Sequence, residues 1–210
     1  MTGFLNLLTR RLLRQVLGNR RGGVVAVAAV VILAIWSALS GEYEATSRAP
    51  DGGAAAGVYA LTGKVVHIAD GDTFTLLAGR RRQRIRLASI DAPETAKGQA
   101  RPGQSAARAA ARALADLVAG KTLTLRCFEL DHYGRHVCDV PLDGGSTANE
   151  RLVAAGLAWA NMQGHGKYMR DPAMPALQAR ARRAGKGIWR EAAPVPPWVW
   201  RRRCWGQGHC

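Results

Sequence analysis

Two short acidic turns carry the side chains of this sequence that are best suited to chemistry. The first reads Asp-Gly-Asp-Thr at residues 70–73, the second reads Asp-Ala-Pro-Glu-Thr at residues 91–95, and an arginine at position 86 lies between them. Carboxylate oxygens are the ligands that hard divalent cations prefer, and a guanidinium binds anions through a planar fork. We therefore predict that Asp72, Asp91 and Glu94 meet in one pocket and hold a metal ion, with a guanidinium beside it.

The charge balance of the chain points to a polyanionic partner. The 210 residues include 30 Lys and Arg against 15 Asp and Glu, which gives a formal net charge of +15. Nucleic acid is the first candidate partner, and an anionic membrane surface is the second. Richness in Arg and Ala also follows from the base composition of some genomes, so charge alone does not decide between these partners.

A set of short strands separated by turns must position the acidic runs. The predicted strands are 64–68, 73–77, 83–87, 121–127 and 135–140. Gly, Pro and Asp residues between most of them favour turns. Apolar periodicity and capping residues predict three helices, over 103–119, 147–155 and 173–184. The pattern is five strands with a helix after the third, followed by further helices.

The N-terminal part of the chain predicts export. Residues 1–22 are basic and contain no acid, and residues 23–41 form an uncharged, mostly apolar run. This run just reaches the roughly 20 residues that span a bilayer, and the charges on its two sides place the N-terminus inside. We expect a transmembrane signal-anchor, and the alternative is a signal peptide cleaved near residues 38–40. Either one places the rest of the chain on the extracytoplasmic side, periplasmic or extracellular, as an anchored or a secreted domain.

Composition divides the remainder of the chain into three segments. Residues 42–60 are rich in Gly, Ala and Ser and predict a flexible linker. Residues 61–190 contain the predicted strands and helices and form the folded domain. Residues 191–210 are rich in Pro, Trp and Arg and are interpreted as a stiffened tail.

The four cysteines agree with an exported domain. Cys127 and Cys138 flank a turn-like segment and would face each other in a hairpin, while Cys204 and Cys210 close a small terminal loop. An even number of cysteines in an exported domain predicts disulfides, here Cys127–Cys138 and Cys204–Cys210. The alternative for the first pair is a zinc site that includes the two nearby histidines, but the spacing matches no common zinc pattern.

Five segments, in order and spacing, resemble the staphylococcal-nuclease-like (thermonuclease) family over roughly residues 63–189. They are IADGDT at 68–73, IRLASIDAPET at 85–95, DHYGR at 131–135, NERLVAAGLA at 149–158 and GIW at 187–189. The resemblance implies an OB-fold, which is a five-stranded Greek-key β-barrel, with about three helices. It also implies a Ca²⁺-dependent endonuclease that cleaves DNA and RNA with little sequence specificity and leaves 3′-phosphate ends.

The resemblance assigns the metal ligands by motif position. Asp72 and Asp91 resemble the metal-binding carboxylates, and Ala92 resembles the position that offers its backbone carbonyl to the metal. Asp70 is interpreted as a turn residue rather than a ligand, because Asp-Gly is a common turn pair.

The resemblance also assigns residues to catalysis and substrate binding. Glu94 resembles the general base, and Arg86 and Arg135 resemble the two arginines that clamp the phosphate. Tyr133 either helps to hold the turn or contacts the substrate, and the sequence does not decide between these two roles. Trp159 has two readings, because an aromatic face stacks on any base but also suits a core.

Two other functions remain as alternatives. Domains of this family that lose the carboxylates or arginines bind nucleic acid or proteins without cutting, although this sequence keeps all five positions. A membrane-surface protein would use its basic charge on lipid head groups. The membrane is otherwise a partner only through the N-terminal segment, and no obligate protein partner is implied.

Overall fold

The computed structural model describes residues 57–210. The predicted basic segment, the predicted membrane segment and most of the predicted linker lie outside the described residues. Within residues 57–210, no helix is both long enough and apolar enough to cross a membrane.

Residues 57–210 contain seven strands, and five of them close into a barrel. The strands are β1 (Tyr59–Ile68), β2 (Thr73–Ala78), β3 (Arg81–Leu87), β4 (Ile90–Asp91), β5 (Thr122–Leu130), β6 (His136–Asp139) and β7 (Trp159–Ala160). The barrel order is β1-β2-β3-β6-β5, and β4 pairs separately with β7. The predicted OB-like barrel of five strands with helices is confirmed. Strand β1 begins at Tyr59, so the last two residues of the predicted linker, 59 and 60, belong to the barrel.

Alternation along β3 explains how the barrel presents charge on its outside. Ile85 and Leu87 are buried in the core, whereas Arg82 and Arg84 are exposed on the opposite face. Successive side chains of a strand point to opposite faces, so Arg86 also lies on the outer face. Its side chain is only 13% exposed, however, because the two acidic turns cover it.

Five helices and two further turns complete the described part of the chain. The helices are α1 (Ala107–Val118), α2 (Ala148–Ala154), α3 (Gln163–Gly166), α4 (Met174–Arg183) and α5 (Pro197–Trp200), with a 3₁₀ turn at Gly187–Arg190 and a wider turn at Arg201–Trp205. The three predicted helices correspond to α1, α2 and α4. Thr147 and Glu150 cap α2 reciprocally through side chain and backbone, which explains why this short helix begins where it does.

Both predicted disulfides are present in the structure. Cys127 and Cys138 lie opposite each other on β5 and β6, are fully buried and are bonded to each other. The zinc alternative is therefore not formed, because both of its thiols are used. Cys204 is bonded to Cys210 near the C-terminus.

Candidate functional site

Strand pairing brings the first acidic turn next to Arg86. Thr73, the first residue of β2, pairs with Arg86 on β3, and the Leu87 N–H donates to the Asp72 carbonyl at 2.9 Å. Asp72 therefore lies directly beside the guanidinium, and its Oδ2 is 3.0 Å from Arg86 Nη1.

A close approach of backbones joins the two acidic turns. A Cβ atom on Gly71 would lie 2.6 Å from the Cβ of Ala110 and 2.8 Å from the Cβ of Ala92, so only glycine fits there. The approach allows the Ala92 N–H to donate to Asp72 Oδ2 at 2.6 Å. The glycine of the Asp-Gly-Asp motif thus sets the distance between the turns.

Asp91 is the most deeply buried acid of the cluster. It is 1% exposed and lies on β4, opposite Trp159 of β7. Its Oδ1 accepts a hydrogen bond from Arg86 Nη2 at 2.7 Å, so a single guanidinium bridges Asp72 and Asp91. Burial, the largest effect, raises the pKa of Asp91, and the Arg86 and Arg201 guanidinium groups oppose that shift.

Arg201 reaches the same carboxylates from the C-terminal segment. Its Nη1 lies 3.2 Å from Asp91 Oδ1 and its Nη2 lies 2.8 Å from Asp91 Oδ2. Nη1 also donates to Glu94 Oε1. The pKa of Arg201 is raised, because attraction to Asp91 and Glu94 outweighs the effect of burial.

Glu94 completes the group of carboxylates. Its side chain is 11% exposed, and its backbone N–H donates to Gln104 Oε1 at 3.0 Å. Burial raises the pKa of Glu94, and the hydrogen bond from Arg201 acts in the opposite direction. The structure thus brings together Asp72, Arg86, Asp91, Ala92 and Glu94, as the sequence predicts.

Arg135 pairs with a different carboxylate, that of Asp131. The parallel pairing of β3 with β6 sets Arg86 opposite Val137, so strand alternation puts Arg135 on the same outer face. Its Nε and Nη2 lie 2.7 and 2.6 Å from Asp131 Oδ2. In the part of the chain that the structure describes, its guanidinium makes no hydrogen bond to the acidic turns.

Comparison with known proteins assigns the chain to a family. Residues 84–191 match the family model described as staphylococcal nuclease homologue. A protein of Escherichia coli O157:H7, named an uncharacterized endonuclease, is 42% identical over 143 residues, which cover 68% of this chain and 86% of that protein. The chain belongs to the staphylococcal nuclease homologue family.

Other relatives of this chain have similar names. The micrococcal nuclease of Shigella flexneri is 38% identical over 148 residues, which cover 67% of this chain and 80% of that protein. An uncharacterized endonuclease of Haemophilus influenzae is 35% identical over 143 residues, with coverages of 68% and 74%. The matched region, residues 84–191, includes Arg86, Asp91, Glu94 and Arg135 but ends before Arg201.

The C-terminal segment is the part of the site that sequence reasoning missed. The composition of residues 191–210 predicts a tail outside the domain, but in the structure Arg201 of this segment contacts the acidic turns. The charge and the aromatic content of the segment were visible in the sequence. No local pattern identifies which of its arginines reaches Asp91.

The two aromatic candidates of this staphylococcal nuclease homologue have different environments. Trp159 is 4% exposed, and its ring centroid lies 5.5 Å from that of Trp189. Its faces are therefore covered, and the structure corrects the base-stacking prediction in favour of the core alternative. Tyr133 is 63% exposed and lies beside the Arg135 guanidinium, so it is accessible to a substrate.

Asp70 makes a local contact rather than a contact to the guanidinium groups. Its Oδ1 accepts a hydrogen bond from the Asp72 N–H at 3.2 Å, which is the geometry of a turn residue. Burial and then repulsion from Asp72 raise the pKa of Asp70 to about 7.

The candidate metal ligands of this chain form only part of a site for a hard cation. Within residues 57–210, no three His, Cys, Asp or Glu side chains are arranged to enclose a metal ion. Asp72 and Asp91 supply carboxylate oxygens, the type that Ca²⁺ prefers, and share one guanidinium. Two carboxylates and one backbone carbonyl, each giving one oxygen, leave at least half of a six- to eight-oxygen shell to water and substrate. The residues fit calcium as an open site rather than as a closed cage.

Proposed function

We propose that this staphylococcal nuclease homologue is a Ca²⁺-dependent endonuclease that hydrolyses phosphodiester bonds of DNA and RNA with little sequence specificity. The observation that carries the proposal is the convergence of three carboxylates on the Arg86 side of the barrel. The endonuclease and micrococcal nuclease names of the relatives support the reaction class. The net charge of +15 suits a polyanionic substrate.

The side chains of Asp72 and Asp91, with the backbone carbonyl of Ala92, are the groups that would hold calcium. When bound, the ion supplies positive charge that offsets the charge of the phosphodiester. Asp72 is kept in place by the Ala92 N–H and Asp91 by Arg86, so the two carboxylates are oriented before any ligand arrives. Such preorganisation avoids rearrangement during the reaction.

The arginines are proposed to bind the phosphate. Arg86 is held by two carboxylates on the outer face of the barrel, and its side chain is 13% exposed. Arg135 is held by Asp131 on the same face. A planar guanidinium reaches two phosphate oxygens at once, and its attraction increases as negative charge builds on those oxygens in the transition state.

Glu94 is proposed as the general base. It accepts a proton from the water that attacks phosphorus, while the bond between phosphorus and the 5′ oxygen breaks and that oxygen takes up a proton from solvent. The products carry a 3′-phosphate and a 5′-hydroxyl. The backbone N–H of Glu94 donates to Gln104, and this contact holds the backbone from which the Glu94 carboxylate extends.

The test is nicking of supercoiled plasmid by the purified chain, first with calcium and then with an excess of chelator. We expect relaxed plasmid only with calcium, and degradation of single-stranded RNA under the same conditions. End-labelling of the products identifies 3′-phosphates. A chain that binds the plasmid without nicking it in calcium would instead be a nucleic-acid-binding module of the same fold.

We also propose that the barrel, together with the C-terminal residues that contact its acidic turns, forms the catalytic domain and that this domain is exported. It would be either anchored by residues 23–41 or secreted after cleavage. Two disulfide-bonded pairs support an oxidising compartment. N-terminal sequencing of the native protein separates the anchor from the cleaved signal, and fractionation of cells identifies the compartment.

A further inference from the structure

The C-terminal segment, residues 191–210, is attached to the domain on both sides of Arg201. The indole N–H groups of Trp200 and Trp205 both donate to the Pro102 carbonyl, at 3.0 and 2.9 Å. These two residues flank Arg201 in the chain, so its backbone position is fixed relative to the loop that follows Glu94. We call residues 191–210 the C-terminal strap.

A third attachment links the strap to the backbone of the second acidic turn through the side chain of Gln104. Gln104 donates through Nε2 to the Val195 carbonyl at 2.7 Å and accepts through Oε1 from the Glu94 N–H at 3.0 Å. The disulfide between Cys204 and Cys210 closes the end of the strap. The side chain of Arg201 can therefore change partners while the backbone of the strap stays in place.

The guanidinium of Arg201 occupies the carboxylate oxygens that a cation would need. Both oxygens of Asp91 lie within 3.2 Å of its nitrogens, and it also holds one oxygen of Glu94. Asp91 Oδ1 accepts from Arg86 as well, so both lone-pair sites of that oxygen are used. A divalent cation bound at Asp91 would share these oxygens with a second positive charge at close range, which is unfavourable.

Charge balance explains why the ion-free site needs this second guanidinium. Asp72, Asp91 and Glu94 are three largely buried carboxylates; Arg86 pairs with the first two, and the exposed Lys97 reaches only Oε2 of Glu94, at 4.0 Å. Uncompensated buried charge is costly. Arg201 adds a second guanidinium, so that Arg86, Lys97 and Arg201 together offset the three negative charges.

We propose that Arg201 is an internal competitor of the divalent cation: it neutralises Asp91 and Glu94 in the ion-free protein and must leave them when the cation binds. The inference rests on the proposed function and concerns the regulation of the same site. Its consequence is that Arg201 weakens the affinity of the site for calcium. Removal of the competing guanidinium increases the fraction of molecules that can bind the ion.

Calcium titration calorimetry on the full chain tests this inference without reference to activity. Arg201→Gln should bind calcium at least about tenfold more tightly than the wild type. The matched control is Arg202→Gln, which makes the same charge change on the neighbouring exposed residue and should leave the affinity unchanged. Thermal denaturation gives a second readout, because calcium should raise the Tm of Arg201→Gln by more than it raises the Tm of the wild type.

Unchanged or weaker calcium binding by Arg201→Gln would overturn the proposal, whatever its effect on nicking. If that variant fails to fold, Arg201→Lys keeps the charge but cannot span both oxygens of Asp91, and we expect an affinity between those of wild type and Arg201→Gln. An Arg201→Lys affinity equal to that of the wild type also counts against the proposal.

Failure of the proposed function gives a different result. A wild-type chain that does not nick plasmid at saturating calcium, while Arg201→Gln still tightens calcium binding, refutes the nuclease proposal and supports the competition. Normal nicking by the wild type, together with an unchanged calcium affinity in Arg201→Gln, supports the nuclease proposal and refutes the competition.

Discussion

Asp91 and Arg201, separated by 110 positions in the sequence, form a two-point ion pair with nitrogen–oxygen distances of 2.8 and 3.2 Å. Arg86 holds the same carboxylate from the other side at 2.7 Å. Asp91 therefore lies between two guanidinium groups, one from β3 and one from the C-terminal strap. Through Asp91, the second acidic turn thus contacts both the barrel and the C-terminal strap.

Replacement of Asp91 by Asn should abolish the proposed calcium-dependent nicking. The amide removes one charged partner from Arg86 and from Arg201, which keep Asp72 and Glu94, so we also expect the free energy of unfolding to fall by only about 1–3 kcal/mol. Plasmid nicking and urea denaturation measure the two effects. Asp116→Asn removes an exposed carboxylate of α1 and serves as the control, which should match the wild type in both assays.

Replacement of Glu94 by Gln should separate catalysis from stability. The amide cannot accept the proton of the attacking water, so turnover should fall by a factor of about 10²–10⁴. Glu94 is nearly isosteric with Gln, and its backbone contact to Gln104 remains, so the variant should stay folded. Single-turnover kinetics at saturating calcium measures the loss, and wild-type turnover would exclude Glu94 as the base.

Replacement of Arg86 by Lys should reduce turnover although the charge is kept. One ammonium cannot bridge Asp72 and Asp91 and also present a planar fork to the phosphate, so we expect a loss of at least about tenfold in kcat. Arg84→Lys, on the same strand face but exposed, is the control. Equal kcat values for the two variants would argue that Arg86 contributes charge alone.

The buried carboxyl group of Asp139, which lies outside the candidate active site, should make the free energy of unfolding depend on pH. Burial raises its pKa to about 6, against the partial opposing effect of Arg126. The folded protein then binds the proton more tightly than the unfolded chain does, so this residue lowers stability as the pH rises from about 4 to about 6. Asp139→Asn should remove this loss and stabilise the protein at pH 7.5 by about 1–3 kcal/mol, with little effect at pH 4. Urea denaturation at both pH values is the measurement, and an equal effect at both would contradict the assignment.

The disulfide between β5 and β6 should contribute to the stability of the barrel. Cys127 and Cys138 pair across the strands in the buried core, and a native disulfide of a small exported domain contributes about 2–5 kcal/mol. A Cys127→Ala and Cys138→Ala double variant should therefore have a lower Tm. The same double change at Cys204 and Cys210 is the comparison, because it removes a disulfide outside the barrel; a larger loss of Tm there would contradict the expectation.

The sequence by itself determined the strands and the acidic turns, and the resemblance to the staphylococcal-nuclease-like family implied that the strands close into a barrel. Alternation in residues 83–87, turn residues at 70–73 and helix caps such as Thr147 act over a few residues, so their effect can be read from neighbours in the chain. The motif spacing then indicated which carboxylates and which arginine of β3 meet. These features depend on local backbone preferences and on strand register, both of which leave a pattern in the sequence.

Only the tertiary structure decided the surroundings of that site. Trp159 is in the core because it packs against Trp189, and Arg201 reaches Asp91 because the chain returns across Pro102. An ion pair between residues 110 positions apart depends on the path of the whole chain rather than on any local periodicity. Every arginine of the C-terminal strap has the same chemistry, and the fold selects the one that enters the site.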